Sequence, residues 1–257
     1  MIISHEHRFV FLHNPKAAGS AIRISLADLH DDPTEFWHQG YLPRLNRVVD
    51  LAHLTHHDLE LQLDSSLRGY EFLTVVRDPY ARFLSAVSEH QRQHGLESMD
   101  LDEWIVSYMD ETNFRFNWKY VHLCPQHYFV PTHYDGVHVL RHEYLSREWK
   151  AFLEASLNKE ALKKVKPMPN TRVRPDASKI CLDTLTPFAI AEINRVYYMD
   201  FKRFGYPMRA TASSITSLSR PATHYDRVNA IHSPFFCDVD PECLSPGEKI
   251  AYLEKRS

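Results

Sequence analysis

The sequence predicts an α/β fold, and three observations predict it. Apolar runs rich in β-branched and aromatic residues, at Phe9–Leu12, Tyr70–Val76 and Gly136–Leu140, each precede a segment with helical spacing. Turn chemistry divides the first two pairs, Asn14-Pro15 in one and Asp78-Pro79 in the other. The chain has 257 residues, 44% hydrophobic and 25% charged, enough to bury a core as one large domain or two small ones. Alternating strand and helix patterns of this kind pack helices against a sheet.

The first element is the strand Phe9–Leu12. Beyond its turn, Ile22, Leu26 and Leu29 recur at helical spacing, so a helix begins near Ser20. A buried strand, a tight loop and a helix start make an anion site. Backbone N–H groups of Ala17, Ala18, Gly19, Ser20 and Ala21 face the helix entrance, and Lys16 adds a full positive charge. Gly19 admits a close approach of backbone to ligand. The loop is not a Walker A motif: lysine precedes glycine, and Ala17 stands where a magnesium-binding hydroxyl belongs.

Asp31 to Asp50, with Pro33, Gly40 and Pro43, reads as a loop excursion, followed by a helical turn or two from Leu51. His53, His56 and His57 gather there. On one helix, His53 and His57 would share a face suited to a metal, but no third ligand stands at a recognisable spacing, and no metal is expected. A solvated helix start or a catalytic base are the other readings. The strand Tyr70–Val76 leads into a second helix, with Asp78 as N-cap, Pro79 as first residue and Phe83, Leu84 and Val87 on its buried side. Arg77 stands at the strand's C-terminal end, where open α/β sheets bind ligands, and its guanidinium fork suits a phosphate.

The middle of the chain reads as a helix at Leu101–Met109 and an aromatic stretch, Asn113–Tyr120, interleaved with Arg115 and Lys119. That stretch could be a sugar platform, an adenine stack or core. The third strand leads through Arg141 and Glu143 to a helix at Ser146–Leu157. Lys163 to Asp176, holding Asn170, Arg172 and Arg174, reads as an exposed basic loop. A helix from Thr186 (N-cap) and Pro187 runs to Asp200. Arg209 to Pro221 is a Ser/Thr-rich linker, and the rest to Ser257 holds one short helical pattern at Pro246–Glu254.

Bulk properties narrow the function. A net charge of −3 gives no global field for nucleic acid or anionic membrane, so a phosphate ligand needs a local basic pocket. Seventeen histidines make any one of them weak evidence. Cys124, Cys181, Cys237 and Cys243 lack zinc-like pairing and read as free thiols. With neither signal peptide nor apolar span in the sequence, the expected location is the cytoplasm.

Two motifs carry a family resemblance. Pro15-Lys16-x-x-Gly19-Ser20 resembles the 5′-phosphosulfate loop of sulfotransferases, which take sulfate from 3′-phosphoadenosine 5′-phosphosulfate (PAPS). Arg77-Asp-Pro-x-x-Arg82-x-x-Ser85 resembles their 3′-phosphate signature. Pro125-Gln126, and Val196-Tyr-x-x-Asp-Phe-x-x-Phe-Gly-Tyr206, are similar to segments of the sulfotransfer-2, carbohydrate-directed branch. The resemblance spans Phe9 to Tyr206 and implies a P-loop-like fold, a small central parallel sheet flanked by helices. The domain would cover residues 1–207, with 208–257 a linker and extension of unknown role.

The resemblance implies transfer of a sulfuryl group from PAPS to a hydroxyl or amine, of a carbohydrate by branch, leaving 3′-phosphoadenosine 5′-phosphate (PAP). Lys16 would neutralise the bridging oxygen and 5′-phosphate, aided by N–H groups of Gly19 and Ser20, without a metal. Arg77 and Ser85 would hold the 3′-phosphate, with Arg172 a second contact from its loop. Gln126 would face substrate. A histidine before the second motif serves as general base in this branch, matching His53-Leu-Thr55, with His56 next in line. Two positions depart from the pattern: Ala21 replaces a hydroxyl residue and Val87 an aromatic. Neither removes a charge, so weaker donor binding is the expectation. The rivals are an ATP-dependent P-loop kinase, opposed by Ala17, and a nucleotide-binding scaffold without turnover.

Overall fold

The structure is a computed structural model describing residues 1–63, 67–132, 134–169 and 181–210. In chain order the elements are β1 (Ile2–Ser4), β2 (Phe9–Leu12), α1 (Gly19–Ser25), β3 (Gln39–Leu42), β4 (Arg47–Asp50) and α2 (His56–Leu63). Next come β5 (Glu71–Val76), α3 (Pro79–His94), α4 (Leu101–Tyr108), α5 (Glu111–Phe116) and β6 (Val137–Arg141). The helices α6 (Leu145–Ser156), α7 (Lys159–Lys164), α8 (Pro187–Val196) and α9 (Tyr198–Phe204) complete the set.

The main sheet has the order β1-β2-β5-β6. β2, β5 and β6 are parallel, and β1 runs antiparallel on the outer edge, so the expected parallel sheet carries one reversed strand. Period-two alternation splits β2 between two cores. Phe9 and Phe11 join Ile22, Leu26, Leu73, Trp149 and Phe152 under α1 and α6. Val10 and Leu12 join Phe36, Val49, Leu59 and Phe72 on the opposite face. A third core, with Phe83, Trp104, Ile193, Tyr197 and Phe201, fills the space between α3, α4, α8 and α9. Each buried aromatic there contributes about 1.5–3 kcal/mol.

Three sequence expectations change. The stretch read as a loop excursion contains a β-hairpin, β3 paired with β4, whose turn uses Pro43 and a left-handed Asn46. Gly40 and Pro43 hide the strand pattern, and a hairpin with one lightly buried face carries little hydrophobic signal. The helix from Thr186 breaks at Tyr197 and restarts as α9, while Thr186 does cap Ala189 N–H as expected. His53 and His57 do not share a helix face. His53 ends a 3₁₀ turn, Leu54 is extended at ψ 135°, and α2 starts afresh at His56. No helix among the described residues is long and apolar enough to cross a membrane.

Candidate active site

Parallel pairing assembles the site. Leu12 lies opposite Thr74, and Val76 opposite Arg141, so the loops after β2, β5 and β6 leave the same edge of the sheet. His13 to Ala18, Arg77-Asp78 and His142-Glu143 are thereby neighbours despite their separation in sequence.

The first loop is held from outside. Asn14 Nδ2 donates to Val75 O (2.7 Å) and Gln126 Oε1 (3.0 Å). Gln126, fully buried, also accepts from Arg77 N–H (2.8 Å) and donates to Arg77 O (2.8 Å). It braces both loops and does not face substrate, contrary to the expectation. Its own N–H donates to Asp200 Oδ2 at 2.8 Å, which gives the aspartate of the C-terminal motif a structural task. Lys16 and Ala18 both take left-handed backbone, at φ 63° and 64°. Neither is glycine, so each conformation costs about 1–2 kcal/mol. Gly19 has a task beyond the one read in sequence: a Cβ there would fall on the His13 ring, so glycine is what lets that ring pack.

The helix start is open. Ala21 N–H closes the first turn onto Ala18 O (3.1 Å), and the N–H groups before it stand at the free end of α1. Ser20 is exposed there, Lys16 and Ala18 are half-buried, and Ala17, Gly19 and Ala21 are buried. Arg77 Nη1 donates to Lys16 O at 3.2 Å, tying the second motif to the first. Asp78 caps Ala81 N–H (2.9 Å), and Glu143 Oε1 accepts from Asp78 N–H (2.8 Å). Ser85 lies half-buried on α3 two turns in, and Val87 is in the core. Arg82 is buried and donates to the carbonyls of His122 and Cys124.

Behind Lys16 lies a group the sequence did not bring together. Lys16 Nζ contacts Glu89 Oε2, from α3. The same oxygen is 3.8 Å from His122 Nδ1. His122 packs edge-on to His53 (centroids 5.0 Å), and His53 packs on His13 (4.3 Å). His53 Nδ1 lies 2.8 Å from His13 O. A carbonyl only accepts, so Nδ1 carries the proton and Nε2 keeps its lone pair. Burial lowers the pKa of His53 well below 6.5, with His122 adding to it and the His13 carbonyl opposing. Burial, then His53, does the same to His13. His122 is lowered by burial with partial relief from Glu89. Burial raises Glu89, but the Lys16 hydrogen bond and charge outweigh it and leave the carboxyl below its usual range. His56 is apart from this set, with Nδ1 2.9 Å from Tyr128 O.

Among the described residues, Asp50, His53 and His122 form a group whose ligand atoms all lie within 4.8 Å, the set able to approach one cation. The aromatic stretch is largely core. Phe114 and Phe116 are buried, and Arg115 is pinned by Asp58 at 2.9 Å, with Arg47 on the same carboxylate at 2.9 Å. Arg172, with Asn170 and Arg174, lies outside the described residues.

Sequence reasoning missed His13, Glu89 and His122. Glu89 had a readable signal, since it stands four residues after Ser85 on the same helix face. His13 abuts the loop, but His122 reaches the site only through the fold. A family model described as "Sulfotransferase family" matches residues 1–207. No curated protein and no solved structure was found to match.

Proposed function

The chain belongs to the sulfotransferase family, and from that premise we propose that it moves a sulfuryl group from PAPS to a hydroxyl or amine of a carbohydrate acceptor. The observation that carries this reading is the tie between the two motifs. Arg77 donates to the Lys16 carbonyl, so two cationic side chains and an open helix start occupy one edge of the sheet. Such a donor set fits a nucleotide phosphorylated at both ends. Lys16 and the N–H groups of Gly19 and Ser20 serve the 5′ side, and Arg77 and Ser85 the 3′ side. Among the described residues, the buried Nδ1 of His13 and Oδ1 of Asn14 have no hydrogen-bond partner, which fits a polar ligand beside this loop.

PAPS, when bound, supplies an activated sulfuryl group on a good leaving group. The protein's part is in-line positioning and charge stabilisation. Lys16 holds positive charge where negative charge grows on the leaving side. His53 is the base: its Nδ1 proton is committed to the His13 carbonyl, and its Nε2 accepts the acceptor's proton. The lowered pKa keeps the ring neutral, and so able to accept, at neutral pH.

Two measurements test this. PAP should raise the melting temperature, and ATP with magnesium much less; at a hundred times its dissociation constant PAP adds about 2.7 kcal/mol. Equal shifts reject the donor assignment. Transfer of labelled sulfate from PAPS to a panel of sugars, lipids and peptides identifies the acceptor. On that substrate His53→Ala should lower turnover about 10²–10⁴-fold with PAP affinity held within about twofold. Near-normal turnover removes His53 from the mechanism. His56→Ala should be milder.

A further inference from the structure

We propose that Glu89 is a positioning residue that competes with the donor's 5′ phosphate for Lys16, and so promotes release of the desulfated product. The inference rests on the donor assignment above and goes beyond the two phosphate motifs, neither of which includes Glu89.

Glu89 stands one turn past Ser85 on α3, and its Oε2 contacts the Lys16 ammonium. Both side chains are mostly shielded, at 21% and 22% exposure, so solvent screens the attraction only in part. The carboxylate has other cationic or polar neighbours. Arg92 Nη2 is 3.8 Å and Gln93 Nε2 3.4 Å from Oε1, and His122 Nδ1 is 3.8 Å from Oε2. Glu89 can therefore let go of Lys16 without standing alone. A phosphate or sulfate that engages the ammonium shares it with this carboxylate or displaces it. It also meets a like charge at the far side of the lysine.

Two opposite consequences separate competition from support. If Glu89 only braced Lys16, removing it would let the lysine wander and weaken the nucleotide. If Glu89 competes, removing it frees the ammonium, tightens the 5′ phosphate and slows its departure. The effect belongs to the 5′ side alone, because Arg77 and not Lys16 serves the 3′ phosphate.

The test is binding of PAP and of adenosine 3′-monophosphate, which lacks the 5′ phosphate, to wild type and Glu89→Gln, with dissociation rates followed by surface plasmon resonance. Glu89→Gln should bind PAP about tenfold more tightly, or about 1.4 kcal/mol, mostly through slower dissociation. Adenosine 3′-monophosphate should change by less than about twofold on the same scale. Unchanged or weaker PAP binding by a folded Glu89→Gln overturns the competition, as does equal tightening of both ligands, which marks a diffuse charge effect. Should Glu89→Gln not fold, Glu89→Asp takes its place, with the carboxylate drawn back by one methylene. Severalfold tighter PAP then supports the competition, and unchanged or weaker binding overturns it. Wild type that binds neither ligand overturns the donor assignment and this inference together. Wild type that binds PAP with no Glu89 effect overturns this inference alone.

Discussion

The two motif loops leave neighbouring parallel strands but enter their helices in different ways. The second opens on a capped helix: Asp78 caps it, Pro79 fixes the first turn, and α3 runs sixteen residues to a left-handed Gly95, with Gln126 and Glu143 bracing Arg77 and Asp78 from outside. The first has no side-chain cap, enters a seven-residue helix through a left-handed Ala18, packs its own His13 against Gly19, and leans on Gln126 and Arg77 from elsewhere. A loop that enters its helix uncapped and through left-handed backbone can store strain; a loop that opens on a capped helix makes a firmer reference. In the proposed reading, the lysine that exchanges partners sits in the first, and the arginine that stays in place sits in the second.

The largest difference should appear at Gly19. Its missing Cβ is the space the His13 ring occupies, and the ring is clamped between Phe11 and His53. Gly19→Ala should cost about 3 kcal/mol in urea unfolding, at the upper end for overpacking. His13→Ala should recover part of it in the double variant. A neutral Gly19→Ala would show that the ring moves aside and that packing does not hold the first loop.

Removing the anchor of the second loop should spare the fold and strike affinity. Arg77→Ala should lower PAP affinity by about 1.5–3 kcal/mol, the range for a hydrogen bond to a charged group, and Ser85→Ala by less. Both should lose discrimination against adenosine 5′-phosphosulfate, which has no 3′ phosphate. Equal weakening of both nucleotides would make Arg77 a brace like Gln126.

Acid should also tell the regions apart, since the histidines stand behind the first loop. His13 and His53 have pKa values held well below 6.5 by burial, with His53 adding to the effect at His13 and His122 adding to it at His53. Their folded pKa values lie under the unfolded one, so the unfolded chain binds more protons as pH falls from 6.5. Each histidine then costs stability at up to about 1.4 kcal/mol per pH unit until its folded pKa is reached. Unfolding free energy measured from pH 7 to 5 should fall, and His13→Phe should flatten the curve relative to wild type. A wild-type curve flat over that range would mean that these rings titrate normally.

Much of this contrast was legible in the sequence, though unevenly. The second loop announced itself because its chemistry is local: the cap, the proline and the buried stripe of α3 fall within a dozen residues. The first showed its lysine and glycine, but not the glycine's task, because His13 meets Gly19 only through a turn. Gln126 and His122 enter from a segment more than a hundred residues later, and no spacing rule points there. The β3–β4 hairpin was hidden for another reason, since Gly40 and Pro43 are loop signals that a lightly buried strand pair tolerates.

The smallest effect is the cleanest, because the same substitution should have opposite signs in the two loops. Ala18 sits at φ 64°, ψ 15°, a conformation that charges a Cβ about 1–2 kcal/mol and glycine almost nothing. Ala18→Gly recovers that strain but loses about 0.5–1 kcal/mol to the freer unfolded chain. The net should be neutral to about 1.5 kcal/mol more stable. Ala81 occupies the first turn of α3, its N–H bonded to Asp78 at 2.9 Å, with nothing to relieve. Ala81→Gly should therefore cost about 0.5–1 kcal/mol. Paired melts of the two variants read the difference directly. If both are destabilised alike, the first loop stores no backbone strain at Ala18. If the signs split as expected, PAP binding by Ala18→Gly shows what the strain is for: weaker binding with a more stable fold means that the left-handed alanine holds the helix entrance in its binding shape.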